Sequence, residues 1–176
     1  SITFADAQLG LILDALDKTG LANNTVIVFT SDHGYHMGEH GHWQKTTLFE
    51  NAARVPLIIA GPGIKAVGKS TSAPAEMVDF YPTLLAAAQV KPPEAQVLDG
   101  ISCLPNWSDP QVALKREAIY WHYPLDKPHF LGGRSAAAVR AGDWKLIDFF
   151  DDGHAELYNL RSDVGEQHDV AQKHPQ

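Results

Sequence analysis

The residues best suited to chemistry in this sequence are Asp32 and His33, set in Thr30-Ser31-Asp32-His33-Gly34 directly after the apolar run Val26-Ile27-Val28-Phe29. An aspartate beside a histidine offers a cation one oxygen and one nitrogen ligand. Two ligands do not complete a site. Calcium takes about six to eight, mostly oxygens, and zinc takes about four. The same pair also fits a turn-capping aspartate and a hydrogen-bonded buried histidine. The surroundings are histidine-rich: His33, His36, His40 and His42 lie within ten residues, out of nine histidines in the chain.

These side chains need a frame. Leu9, Ile12, Leu13 and Leu16 recur at helical spacing and predict an amphipathic helix over about residues 4–18. Gly20 is placed to end it, and Asn23-Asn24 predicts a turn. The β-branched run at 26–29 predicts a strand buried on both faces, as in a parallel sheet. Helix, turn and strand in that order predict an α/β fold. Residues 31–47 have no periodicity and predict a long loop at the carboxyl end of that strand, where open α/β sheets place their sites. A short helix is expected at 48–53. A second strand is expected at 55–60, with Pro56 near its start or at an edge. Asp79 is placed to cap a helix running to about residue 88, with Pro82 in its first turn. Residues 91–110 hold four prolines and read as a connecting segment. From about residue 116 the pattern changes to short strands at 118–123, 135–140, 144–149 and 156–160, which predict a small antiparallel sheet. The expected division is residues 1–115 and 116–176.

Composition sets limits on partners. The 176 residues are 44% hydrophobic and 20% charged, an ordinary folded composition. Fourteen basic residues against 21 acidic ones leave a net charge of −7. That charge argues against nucleic acid and against anionic membrane surfaces. It leaves room for an anionic substrate in a local cationic pocket. No apolar run approaches the roughly 20 residues of a membrane span. With Cys103 as the one cysteine, neither an internal disulfide nor a CxxC site is possible.

Downstream of Asp32-His33 come Gly38-Glu39-His40-Gly41, Trp43-Gln44-Lys45 and Arg54-Val55-Pro56-Leu57-Ile58. Asp79-Phe80-Tyr81-Pro82-Thr83-Leu84-Leu85, Leu98-Asp99-Gly100-Ile101, Val139-Arg140-Ala141-Gly142-Asp143-Trp144-Lys145-Leu146 and Glu156-Leu157-Tyr158-Asn159-Leu160 follow in order. Together these motifs resemble the type I sulfatases of the alkaline phosphatase superfamily, in particular the iduronate-sulfatase-like and choline-sulfatase-like branch. The resemblance runs over nearly the whole chain. It implies the C-terminal part of an alkaline-phosphatase-like α/β sandwich with a small antiparallel-sheet subdomain. It implies hydrolysis of a small sulfated substrate, a sugar, aryl or alkyl sulfate ester. It also implies a divalent metal, usually calcium, held in part by Asp32 and His33. Lys45 would contact the sulfate and its leaving oxygen, and it is the one Lys or Arg between residues 19 and 53. A fixed cation there would stabilise the charge that develops as the ester breaks. His40 and His122 are further candidates for substrate contact. Relatives of this kind are often periplasmic, secreted or lysosomal, so the resemblance implies one of these locations.

Type I sulfatases oxidise a Cys or Ser in Cys/Ser-x-Pro-Ser/Ala-Arg to formylglycine. Cys103-Leu104-Pro105 begins like that motif but continues Asn106-Trp107. The formylglycine is therefore expected in an N-terminal part that precedes these residues and packs against them, and the 176 residues alone are expected to be inactive. Two other readings compete. One is a phosphonate or phosphate ester hydrolase of the same superfamily, where zinc in place of calcium would mark a phosphatase. The other is a non-catalytic interaction domain derived from it.

Overall fold

Helix α1 spans Ile2–Lys18 and closes at Thr19 and Gly20, where the Gly20 and Leu21 amides donate to Asp17 and Leu16 carbonyls, a Schellman arrangement. The computed structural model describes residues 1–174 and divides into two units. One joins Ser1–Phe29 to Leu57–Leu114, and the other joins Thr30–Pro56 to Lys115–Gln176. The second unit differs from a division at residue 115. The loop after the first strand packs with the small sheet because its Phe49 sits in that sheet's core and Leu48, partly buried, packs against it.

In the first unit, β1 (Ile27–Thr30) pairs with β2 (Leu57–Ala60) in a two-stranded sheet. Pro56 directly precedes β2, where its missing N–H costs no ladder bond. β1 is not buried on both faces as its composition predicts: Phe29 is 43% exposed, and in β2 Ile58 is 58% exposed. Two strands have too few neighbours to cover both faces. Among the described residues, Ile2, Phe4, Leu11 and Ile12 of α1 are exposed as well.

Helix α3 (Phe80–Ala87) follows a 3-10 turn at Met77–Asp79. Asp79 is fully buried, and both of its oxygens are occupied. Oδ2 accepts from the Glu76 amide at 2.7 Å, and Oδ1 accepts from the Ile101 amide at 2.9 Å. Thr83 Oγ1 donates to the Asp79 carbonyl at 2.6 Å and accepts from the Cys103 amide at 2.9 Å. The aspartate and threonine of this motif thus tie the helix to the segment at 101–103. Asp79→Ala would remove the carboxylate acceptor of two part-buried amides, each worth about 1–3 kcal/mol. Urea titration should show a loss of about 2–6 kcal/mol with little change in m.

The second unit contains an antiparallel sheet in the order β3 (Ile119–Tyr123), β4 (Ala136–Ala141), β5 (Trp144–Phe149) and β6 (Ala155–Asn159). Its register pairs Arg140 with Lys145 and Ala138 with Ile147, and Lys145 with Tyr158. Side chains alternate across a strand, so Ala136 and Ala138 face inward with Ile147, Phe149 and Tyr158. Phe49 and Leu160 complete the core. α2 (Glu50–Ala53) is the single turn that carries Glu50 into this unit.

Candidate metal centre

The turn after β1 aims two acceptors at one point. Asp32 Oδ1 accepts the His33 amide at 3.0 Å, so the carboxylate does cap its own turn. Its other oxygen, Oδ2, lies 3.6 Å from His33 Nε2. His33 Nδ1 is 2.7 Å from the Gly34 carbonyl. A carbonyl only accepts, so Nδ1 carries the proton and Nε2 the lone pair. This is the backbone-braced histidine typical of metal ligands. Lys45 Nζ donates to that lone pair at 2.5 Å. An ammonium group therefore already occupies the cation-seeking side of Nε2, beside an exposed carboxylate. Asp32 and His33 fit a divalent metal as two of its ligands. No group of three or more His, Cys, Asp or Glu that could hold a metal occurs among the described residues, and two ligands alone do not complete a site.

Two features of the loop hold this arrangement. Gly34 donates its amide to the Ala52 carbonyl at 2.8 Å. A Cβ on Gly34 would lie 2.0 Å from the Asn51 carbonyl oxygen, so only glycine allows α2 to back the site. Farther on, Gly-Glu-His-Gly makes a tight reversal. His36 and Gly38 amides donate to Gln44 and His42 carbonyls, each at 2.9 Å. Gly38, His40 and Gly41 all have positive φ, at 120°, 52° and 72°. The reversal returns the chain so that Lys45 faces His33.

The other histidines take separate places. His40 stacks on Phe49 at 3.9 Å between ring centroids, and its Nε2 lies 3.1 Å from the Gly165 carbonyl. It braces the loop. His122 is exposed on β3 beside Phe150, and no contact joins it to Asp32, His33 or Lys45 among the described residues. His40 and His42 also line a cavity of about 230 Å³ with Phe49, Arg134, Phe149 and Glu156. Arg134 is committed there to Asp151, at 2.6 and 2.8 Å, and to Asp152, at 2.7 Å. The cavity offers an anion no free guanidinium, whereas Lys45 stands at the turn.

His36 is fully buried, with Nε2 2.7 Å from Thr47 Oγ1. Burial, and after it the neighbouring His42 and His40, push its pKa below the ordinary value, while Glu39 opposes them. Below about pH 6.5 the unfolded chain takes up a proton that the folded imidazole resists. This contribution to stability is complete above that pH and is lost as pH falls through the lowered pKa. His36→Gln should flatten the acid side of the melting-temperature profile relative to wild type. Parallel profiles would show that His36 does not titrate this way.

The sequence does not mark Glu50, Lys145 or Glu166 as functional. Lys145 Nζ lies 2.9 Å from Glu50 Oε1 and 3.0 Å from Glu166 Oε1, with all three side chains buried. Arg140 approaches Glu50 at 3.7 Å. The readable signal is strand parity: Lys145 shares a face with Ile147 and Phe149, so its charge points inward.

A family model described as "Sulfatase" matches residues 1–90. The chain belongs to the sulfatase family. Arylsulfatase K of Danio rerio is 35% identical to this sulfatase chain over 173 residues, covering 97% of the chain and 32% of the relative. An N-acetylglucosamine-6-O-sulfatase of Bacteroides thetaiotaomicron is 34% identical, covering 97% and 30%. A solved structure in complex with its substrate D-glucosamine-2-N,6-O-disulfate superposes at a TM-score of 0.88 with 34% identity, covering 98% of the chain and 35% of that structure. A phosphonate monoester hydrolase of Agrobacterium radiobacter superposes at 0.78 with 28% identity, covering 96% and 35%. The sulfatase chain thus spans about a third of the length of the relatives it matches.

Proposed function

We propose that the protein hydrolyses sulfate esters, with Asp32 and His33 as two ligands of a divalent metal and Lys45 as the cation that meets the sulfate. The observation that carries this reading is the convergence of the Asp32 carboxylate, the lone pair of His33 Nε2 and Lys45 Nζ at the end of β1. The metal, calcium in this proposal, supplies Lewis-acid polarisation of the sulfate oxygens when bound. This chain's residues do the rest of what can be derived. Gly34 fixes the imidazole tautomer, Asp32 adds negative charge beside it, and Lys45 offers a hydrogen-bonding ammonium to the bridging oxygen as charge develops there. The proposed nucleophile, formylglycine, is assigned to sequence outside these residues. Cys103 is buried, with Sγ 3.8 Å from the Asp79 carboxylate. The exposed apolar side chains of α1 and β2 support packing against such a further part. A sulfated amino sugar is the proposed substrate, in line with the glucosamine disulfate complex and the N-acetylglucosamine-6-O-sulfatase.

The test is turnover by the full-length protein. Calcium-dependent release of inorganic sulfate from a 6-O-sulfated glucosamine and from an aryl sulfate is expected. Faster cleavage of a phenylphosphonate monoester would overturn the reading in favour of the phosphonate hydrolases, and zinc as the bound metal would overturn it in favour of a phosphatase. No cleavage of either class would leave a non-catalytic domain.

A further inference from the structure

We propose that the buried Glu50–Lys145–Glu166 network is a positioning device that sets the imidazole of His33 from the far side of α2. The proposal rests on the metal-ligand role given to His33 above, but its geometry stands without it. Lys145 is fully buried and bridges two fully or nearly fully buried carboxylates at 2.9 and 3.0 Å. Glu166 Oε2 also accepts the Glu50 amide at 2.5 Å. Glu50 is the first residue of α2, so its backbone and its side chain are both held. The Glu166 backbone sits at φ 53°, a conformation a non-glycine residue adopts only when its surroundings require it.

From Glu50 the path to the turn is short. α2 is four residues long. Its third residue, Ala52, holds the Gly34 amide at 2.8 Å. Asn51 packs so close that Gly34 can carry no Cβ. The Gly34 carbonyl in turn holds His33 Nδ1 at 2.7 Å. Three segments far apart in sequence, the β4–β5 hairpin, the tail at 166 and the loop at 31–53, are thus pinned at one buried cation. The last hydrogen bond in the chain selects the tautomer that leaves Nε2 unprotonated, with the lone pair to which Lys45 donates. Partners of this kind typically change metal affinity by about 10- to 100-fold when removed. A lysine paired with two glutamates in a core is a costly way to gain stability, since apolar replacements of such groups are often neutral or better. Its value here is geometric: two carboxylates on one ammonium hold α2 in a single register.

Two variants of the full-length protein test this, Lys145→Met and Glu166→Gln. Both are studied in the cold, where circular dichroism checks that the fold persists. The readouts are the tautomer of His33, from long-range proton–nitrogen NMR of the histidine rings, and the calcium Kd by calorimetry. Wild type should show His33 protonated at Nδ1. In the folded variants that signal should collapse to a mixture of tautomers, and the calcium Kd should rise about 10- to 100-fold. A His33 signal unchanged in a folded variant would overturn the proposal and leave the network as a stability element. Loss of the fold in both variants would overturn it too, since positioning requires a unit that persists without the network. If wild type binds no calcium and cleaves no sulfate ester, the functional reading fails, while the tautomer result still decides the positioning.

Discussion

Lys45→Ala in the full-length protein is expected to lower kcat/KM for sulfate-ester hydrolysis by about 100- to 1000-fold, the usual cost of removing one preorganised charge-stabilising donor. The fold should not notice. Lys45 is exposed, and its contact is with His33 Nε2. An exposed side chain held by one polar partner contributes little to stability. The calcium Kd should stay level or tighten, because the ammonium shares the Nε2 lone pair with any metal that binds there. This split separates roles that a loss of activity alone would merge. Calorimetry and steady-state kinetics on one preparation suffice. Unchanged kcat/KM would remove Lys45 from the chemistry. A weakened calcium Kd would make it part of the metal site instead.

Lys145→Met should cost about 3–5 kcal/mol of stability near neutral pH, because it strands Glu50 and Glu166 in the core. Burial already raises the pKa of Glu166, and Lys145 is the largest influence pulling it back down. Without the ammonium, the pKa of Glu166 moves further up. A carboxyl whose folded pKa is raised contributes its full stability below the unfolded value and loses it as pH rises through the folded one. The deficit of Lys145→Met should therefore be greatest at neutral and alkaline pH and shrink on acidification. Arg140, 3.7 Å from Glu50, remains as the nearby cation. Urea titrations of wild type and variant at several pH values read the difference directly. A deficit independent of pH would mean that lost packing dominates.

These predictions act on residues of different legibility. Asp32 and His33 stand out in sequence because they directly follow a strand-forming run, and a strand's end is a local feature. The four strands of the small sheet are legible for the same reason, since alternation and a Gly-Asp turn are written in neighbouring residues. The degree of burial in β1 is not. Val26 to Phe29 are apolar enough for a core strand, yet Phe29 is 43% exposed, because burial depends on what covers a strand. His40 shows a second limit. Its place in a histidine-rich loop points to substrate, but the fold stacks it on Phe49 and ties it to Gly165, a residue far along the chain.

The sequence by itself determined the family, the order of the elements, and Asp32, His33 and Lys45 as the residues to examine. The order of the elements follows from periodicity and composition among neighbouring residues, and the family and candidate residues follow from the resemblance carried by short motifs that recur in order along the chain. Only the tertiary structure decided that Lys45 reaches the lone pair of His33, that α2 backs Gly34, and that Lys145 lies between Glu50 and Glu166. The last of these joins residues 95 and 116 positions apart. Parity on β5 shows that Lys145 points inward, but its counter-charges are contributed by segments whose distance in sequence hides them until the chain has folded.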